Sequence, residues 1–190
     1  SDDSIFPIEH YVNPAAAGSG APTGAELVRL MYRSLHAWQN LSNSWILLEV
    51  AGTTTRDATN HSDGNNDIAW DDLDSLGTGV LGVNSCYMVG PWRVDSDTRF
   101  DNTGRVWTIT AQAGRTDLRA VAEHELGHGI NLDHSDQSCD GSASTPLMCP
   151  FVSAGVRKTI LTDDSNGAAA IYTLSGSPPN PPSNLSAIAT

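Results

Sequence analysis

The chain has 190 residues, 39% of them hydrophobic, and 22 acidic against 10 basic residues give a formal charge of −12. That length suits one domain with a sizeable core, and the acid excess excludes binding nucleic acid through phosphates, which needs clustered Lys and Arg. The apolar runs are too short to span a bilayer, and no basic stretch leading into an apolar one opens the chain, so an exported protein with any leader already removed is expected.

Residues 5–12 read as a short strand interrupted by Pro7 and followed by a loop of Pro, Ala and Gly. Leu27, Leu30, Met31, Leu35, Trp38 and Leu41 then recur at helical spacing, which predicts a helix whose Met and Trp pack into the core. Residues 46–50 are a compact apolar run of the kind buried in a sheet, and shorter extended pieces are predicted at 67–70, 80–83, 98–100 and 107–110. From Thr116 the pattern is helical again, with Leu118, Val121, Ala122 and Leu126 on the apolar side and Thr116 or Asp117 as cap. A last helix is predicted from Thr162-Asp163-Asp164 through Ile171 and Tyr172, its first-turn carboxylates suiting the positive end of the dipole. This order predicts an α+β domain over residues 1–176, with segregated halves and a cleft between them. Residues 177–182 (Ser-Pro-Pro-Asn-Pro-Pro) form a stiff extended linker, and 183–190 begin an alternating pattern similar to the start of a fibronectin type III module.

Chemistry concentrates in one window, His124-Glu125-Leu126-Gly127-His128-Gly129-Ile130-Asn131-Leu132-Asp133-His134. On a helix His124 and His128 stand one turn apart on one face, which suits two ligands of one zinc ion. His134 can close a three-His site only if the chain turns sharply near Asn131, and Asn tolerates the positive φ that such a turn needs. Three protein ligands leave a fourth position for water, the arrangement of a catalytic rather than a structural zinc. Glu125, next to the first ligand, is placed to take a proton from that water. Three of the six histidines fall in these eleven residues, so coincidence on a buried helix is the weaker reading.

Three cysteines cannot all pair. Cys139 and Cys149 flank a short loop rich in Gly, Ser and Thr and are expected to form a disulfide, which implies an oxidising compartment. Cys86 is then left over, expected as a small buried apolar side chain, with a redox thiol as the minority reading. Asp71, Asp72, Asp74, Asp95, Asp97 and Asp101 supply hard oxygen ligands of the kind calcium takes.

With these motifs in place, most of the chain resembles the metzincin metallopeptidases, and among them the matrixin (matrix-metalloproteinase-like) branch. Residues 116–135 are similar to that family's zinc helix, Thr145-Pro146-Leu147-Met148-Cys149-Pro150 to its Met-turn, and residues 161–172 to its C-terminal helix. The resemblance implies a twisted mixed sheet, one catalytic zinc with Met148 packed beneath it, and an edge strand above the cleft at Leu81, Gly82 and Val83. It also implies a substrate pocket bordered by Pro150, Phe151 and Val152. Val83 and Arg99 stand where the family's second zinc would require imidazoles, so that site is expected to be absent, and His61 with Asp63 reads as a solvated loop. The implied activity is endoproteolysis of protein or peptide substrates by a secreted, monomeric catalytic domain, with an extended peptide paired to the edge strand. A non-catalytic binding module and a zinc hydrolase of another bond are the alternatives, separable by a quenched peptide library with and without chelator.

Overall fold

The structure, a computed structural model, describes residues 7–90 and 92–173; the linker and module start expected at 177–190 lie outside them. Five strands form one twisted sheet: β1 (Ile8–Val12), β2 (Leu48–Thr53), β3 (Asn66–Asp71), β4 (Gly82–Val89) and β5 (Trp92–Asp101), in the order β2-β1-β3-β5-β4. β1 runs parallel to β2 and β3, and β3 parallel to β5, while β4 closes one edge antiparallel to β5. Three helices accompany the sheet: α1 (Gly24–Gln39), α2 (Leu118–Gly129) and α3 (Thr162–Ile171). The mixed sheet with α1 and α2 packed together is the α+β architecture expected from the sequence.

Helix α1 forms because Leu27, Leu30, Met31, Leu35 and Trp38 fall on one stripe, and all are buried. Trp38 is wholly enclosed, and its indole N–H donates to the Glu123 carbonyl at 2.8 Å, tying α1 to α2. Truncating such a side chain to alanine costs about 3–5 kcal/mol. A second aromatic group, Trp70, Phe100 and Trp107, fills the space beneath β3 and β5 with ring centroids 5.5–6.4 Å apart.

Several strands run beyond their expected limits. β2 starts two residues later than the apolar run at 46–50 and continues to Thr53. β4 and β5 extend well past 80–83 and 98–100 into a hairpin. The reason is composition: Asp95, Ser96, Asp97 and Thr98 are all buried, so β5 carries polar side chains inward and lacks hydrophobic alternation. The last expected strand, 107–110, is reduced to β6 (Trp107–Thr108), paired with β7 (Thr116–Asp117). Among the described residues no helix is long and apolar enough to cross a membrane.

Candidate metal centre

Helix α2 is capped by Asp117, whose carboxylate accepts the Ala120 amide at 3.0 Å and so satisfies one orphan donor of the first turn. The same carboxylate binds the Arg157 guanidinium through both oxygens, at 2.7 and 3.1 Å, which ties the helix start to the segment before α3. The helix ends at Gly129, and Asn131 adopts φ 72°, the left-handed turn that His134 needs in order to return.

That turn brings three imidazoles together. Ring centroids of His124, His128 and His134 lie 4.8–5.2 Å apart, and one ring nitrogen from each falls within 4.8 Å of the others. His124 Nδ1 lies 2.9 Å from the Leu147 carbonyl, and His128 Nδ1 lies 2.7 Å from the Leu132 carbonyl. A carbonyl only accepts, so both Nδ1 atoms carry the proton and each Nε2 presents a lone pair. Two imidazoles with fixed tautomers and a third ring nitrogen converging on them fit a zinc ion. Burial pushes the His124 imidazole down to about 3 and lowers His128 as well, so both are ready to ligate without losing a proton.

Glu125 follows the first ligand and is nearly enclosed, 6% exposed. Burial pushes its carboxyl up to about 8 in the protein alone, against a weaker opposing hydrogen bond from the Asn84 main chain. A positive charge nearby favours the ionised form. Gly82 of β4 packs directly on this carboxyl: a Cβ there would stand 2.8 Å from Glu125 Cγ. Gly127, within the motif, leaves room in the same way for the Met148 thioether and the Trp38 ring.

Met148 is buried in the turn at residues 145–149. The organiser of that turn is Asp164, whose oxygens accept the Leu147, Met148 and Leu161 amides at 2.7–2.9 Å. Its neighbour Asp163 accepts the Ser135 hydroxyl at 2.6 Å, one residue beyond the third histidine. The two carboxylates at the start of α3 therefore clamp both sides of the metal-binding loop. The Cys139–Cys149 disulfide is formed, with Cα atoms 5.6 Å apart, and fixes the end of the turn.

Above the triad lies a cleft of about 930 Å³. Leu81, Gly82 and Val83 line it on one side, and Pro150, Phe151 and Val152 on the other, with His124, Glu125, His128 and His134 at the floor. Cys86 also faces the cleft and is exposed, which corrects the expectation of a buried thiol: Asn84 already lies against Gly129, the last residue of α2, so two residues further along β4 the helix no longer covers that face.

The acidic residues divide. Asp72, Asp74 and Asp101 bring carboxylate oxygens within 4.8 Å of one another, an oxygen-only group of calcium-like chemistry. Asp71 is instead paired with Arg99 at 2.7 Å. Asp95 and Asp97 lie buried on β5, and the loop residue His61, its side chain 36% exposed, contacts Asp97 at 3.3 Å, a partner the sequence does not reveal. His10 is buried in the sheet and His36 stacks on Tyr32, 4.1 Å between centroids.

Sequence reasoning missed Asp164, Arg93 and Lys158. Arg93 donates to the His128 carbonyl at 2.6 Å, capping the helix that carries two of the histidines. Lys158 donates to the Pro146 carbonyl at 2.8 Å beneath the same turn. Each acts on a main-chain group far away in sequence; locally, only the carboxylate pair at the start of α3 gives a signal, and that signal points to the helix dipole.

Comparison with known proteins follows the same outline. A family model described as Matrixin matches residues 49–173. A human protein named matrix metalloproteinase-25 is 34% identical over 91 residues, covering 45% of this chain and 15% of its own length. An Arabidopsis thaliana protein named metalloendoproteinase 2-MMP is 33% identical over 92 residues, 48% of this chain and 22% of the relative. A Xenopus laevis protein named stromelysin-3 is 37% identical over 78 residues, 41% of this chain and 15% of the relative. These matches thus span at most 22% of the relatives' own length.

Proposed function

The chain belongs to the matrixin family, and from that premise we propose that it is a secreted zinc-dependent endopeptidase that hydrolyses internal peptide bonds of protein substrates. The observation that carries this reading is the convergence of His124, His128 and His134, with two tautomers fixed by carbonyls, beside the buried carboxyl of Glu125. Zinc held by the three imidazoles would supply Lewis acidity toward the scissile carbonyl and toward water. Glu125 accepts the proton of the attacking water and returns it to the departing amine. The free edge of β4 offers main-chain donors and acceptors to an extended peptide, and the wall at Pro150, Phe151 and Val152 holds a side chain beside the cut bond. The Cys139–Cys149 disulfide supports an oxidising, extracellular setting.

The test is cleavage of a quenched peptide library with and without a chelator. Chelation should abolish cleavage, and Glu125→Gln should lower kcat/KM about 10³-fold while zinc content stays unchanged. Undiminished cleavage by that variant would remove Glu125 as the base, and chelator-resistant cleavage would remove the metal. Loss of any one histidine should reduce bound zinc.

Calcium is proposed as a second, stabilising cation at Asp72, Asp74 and Asp101, supported by their clustered oxygens. Millimolar calcium should raise the melting temperature of chelator-washed protein by about 5 °C; an unchanged melting curve excludes it.

A further inference from the structure

The cleft has two chemically different ends. Gly82 of β4 packs on Glu125, whereas Asn84 lies against Gly129, so β4 runs alongside α2 in the same sense as the helix. The end beyond Asn84 holds Arg93, whose guanidinium is committed to the His128 carbonyl. The opposite end lies toward the start of α2, where Val121 sits one turn before His124; Leu81, Val152 and Lys158 also line the cleft, and Lys158 binds the Pro146 carbonyl next to the Leu147 that holds His124.

Lys158 is only 2% exposed, yet among the described residues it makes no ion pair; its contact is the Pro146 carbonyl. The nearest anionic influences are Asp164 and Asp140. Asp164 already spends its oxygens on three main-chain amides, and Asp140 stands out in solvent. A buried ammonium without a contacting carboxylate is costly, and such groups gather at functional sites. A strut under Pro146 needs only a donor; it does not need a charge.

We propose that Lys158 makes this end of the cleft a pocket for an acidic side chain, carried by the substrate residue that follows the cut bond. The assignment rests on the endopeptidase reading for the identity of the ligand as a peptide. A peptide lying antiparallel to β4, the more stable pairing, runs from the Cys86 end toward Gly82, so its residues beyond the cut reach the Lys158 end. There the methylenes of a glutamate meet Val121 and Val152, and its carboxylate accepts from the ammonium. The exposed Phe151 forms the rim. The net charge of −12 disfavours acidic peptides elsewhere on the surface, so the preference is local to this pocket.

The experiment uses the metal-loaded chain and peptides differing only at that position, with Glu, Gln or Leu. The parent should cleave the Glu peptide about tenfold faster than the Gln peptide in kcat/KM, as expected for one buried charge-assisted hydrogen bond. Lys158→Met should bring that ratio to about one, and Lys158→Arg should keep it. Calorimetric titration with product peptides that begin with Glu or Gln gives the same comparison without turnover. No preference for Glu in either measurement overturns the proposal. So does a Lys158→Met variant that loses the same factor on every peptide, because that is what a strut under Pro146 alone would do. If no peptide is cleaved by the parent, the endopeptidase reading fails, and equal affinities for the two product peptides then decide against the pocket as well.

Discussion

Beneath the metal triad and along strand β5 the chain buries carboxylates in opposite ways. Asp164, 2% exposed, is saturated by three main-chain amides, and Asp117 by two amides and a bidentate guanidinium. On β5, Asp97 has the Asp67 amide and His61, while Asp95 takes the Gly64 amide with one oxygen and leaves the other buried and unpartnered. Burial accordingly raises both β5 carboxyls, Asp97 to about 6, with the charge of Asp95 adding to the rise. The first arrangement uses fully hydrogen-bonded carboxyl oxygens as fixed acceptors and so gives the segments around α2 one geometry. The second carries a penalty at neutral pH that protonation relieves. Position explains the assignment: Asp164 holds the turn at 145–149 and Asp117 the start of the helix that carries His124 and His128, while Asp95 and Asp97 hold neither.

Substitution by asparagine should act on the two regions with opposite sign. Asp164→Asn keeps one acceptor oxygen but turns an NH2 group toward main-chain amides, leaving buried donors without partners. A loss of about 3 kcal/mol is expected, measured as a lower urea midpoint at unchanged slope. Zinc retention should fall with it, since the Leu147 carbonyl that orients His124 belongs to the same turn. A loss below about 0.5 kcal/mol would erase the distinction between the two regions.

How far the sequence reveals this molecule follows the same division. The shared face of His124 and His128 is legible because spacing within one helix fixes which side chains meet, and the turn that returns His134 to them is legible because few residues accept the positive φ of Asn131. The α1 stripe was legible for the same reason of local period. β5 is only partly legible, since polar side chains are buried on both of its faces, Asp95 and Asp97 on one and Ser96 and Thr98 on the other, and an apolar-alternation rule sees no strand there. The exposure of Cys86 is not legible, because burial of a strand residue depends on what packs on its face of the sheet, and α2 ends beside Asn84. Asp164 reads locally as a helix-terminal charge, yet it acts on amides 16 and 17 residues earlier. Lys158 sits in a loop and gives no periodic signal at all.

The β5 penalty can be isolated by pH, and the sheet supplies its own control. A carboxyl whose folded pKa is raised binds a proton in the folded state between about pH 4 and 6 while the unfolded chain does not, so stability falls as pH rises through that window. His10 works the other way. Burial lowers it from 6.5 to about 4, so the unfolded chain holds the extra proton in nearly the same window and stability rises with pH. The two slopes, each about 1.4 kcal/mol per pH unit at full proton difference, oppose one another in the parent. Asp97→Asn keeps an oxygen for the Asp67 amide and removes the falling slope. Relative to the parent it should gain on the order of 2 kcal/mol between pH 4 and 7, measured by urea unfolding in chelator. His10→Asn places an amide near the Ile8 carbonyl that Nδ1 now reaches, and removes the rising slope. Relative to the parent, its stability should decline as pH rises from 4 to 6.5, while the double variant should track the parent's pH dependence through most of that window. If Asp97→Asn followed the parent at every pH, Asp97 would be as well paired as Asp164, and the contrast between the two regions would be one of position alone.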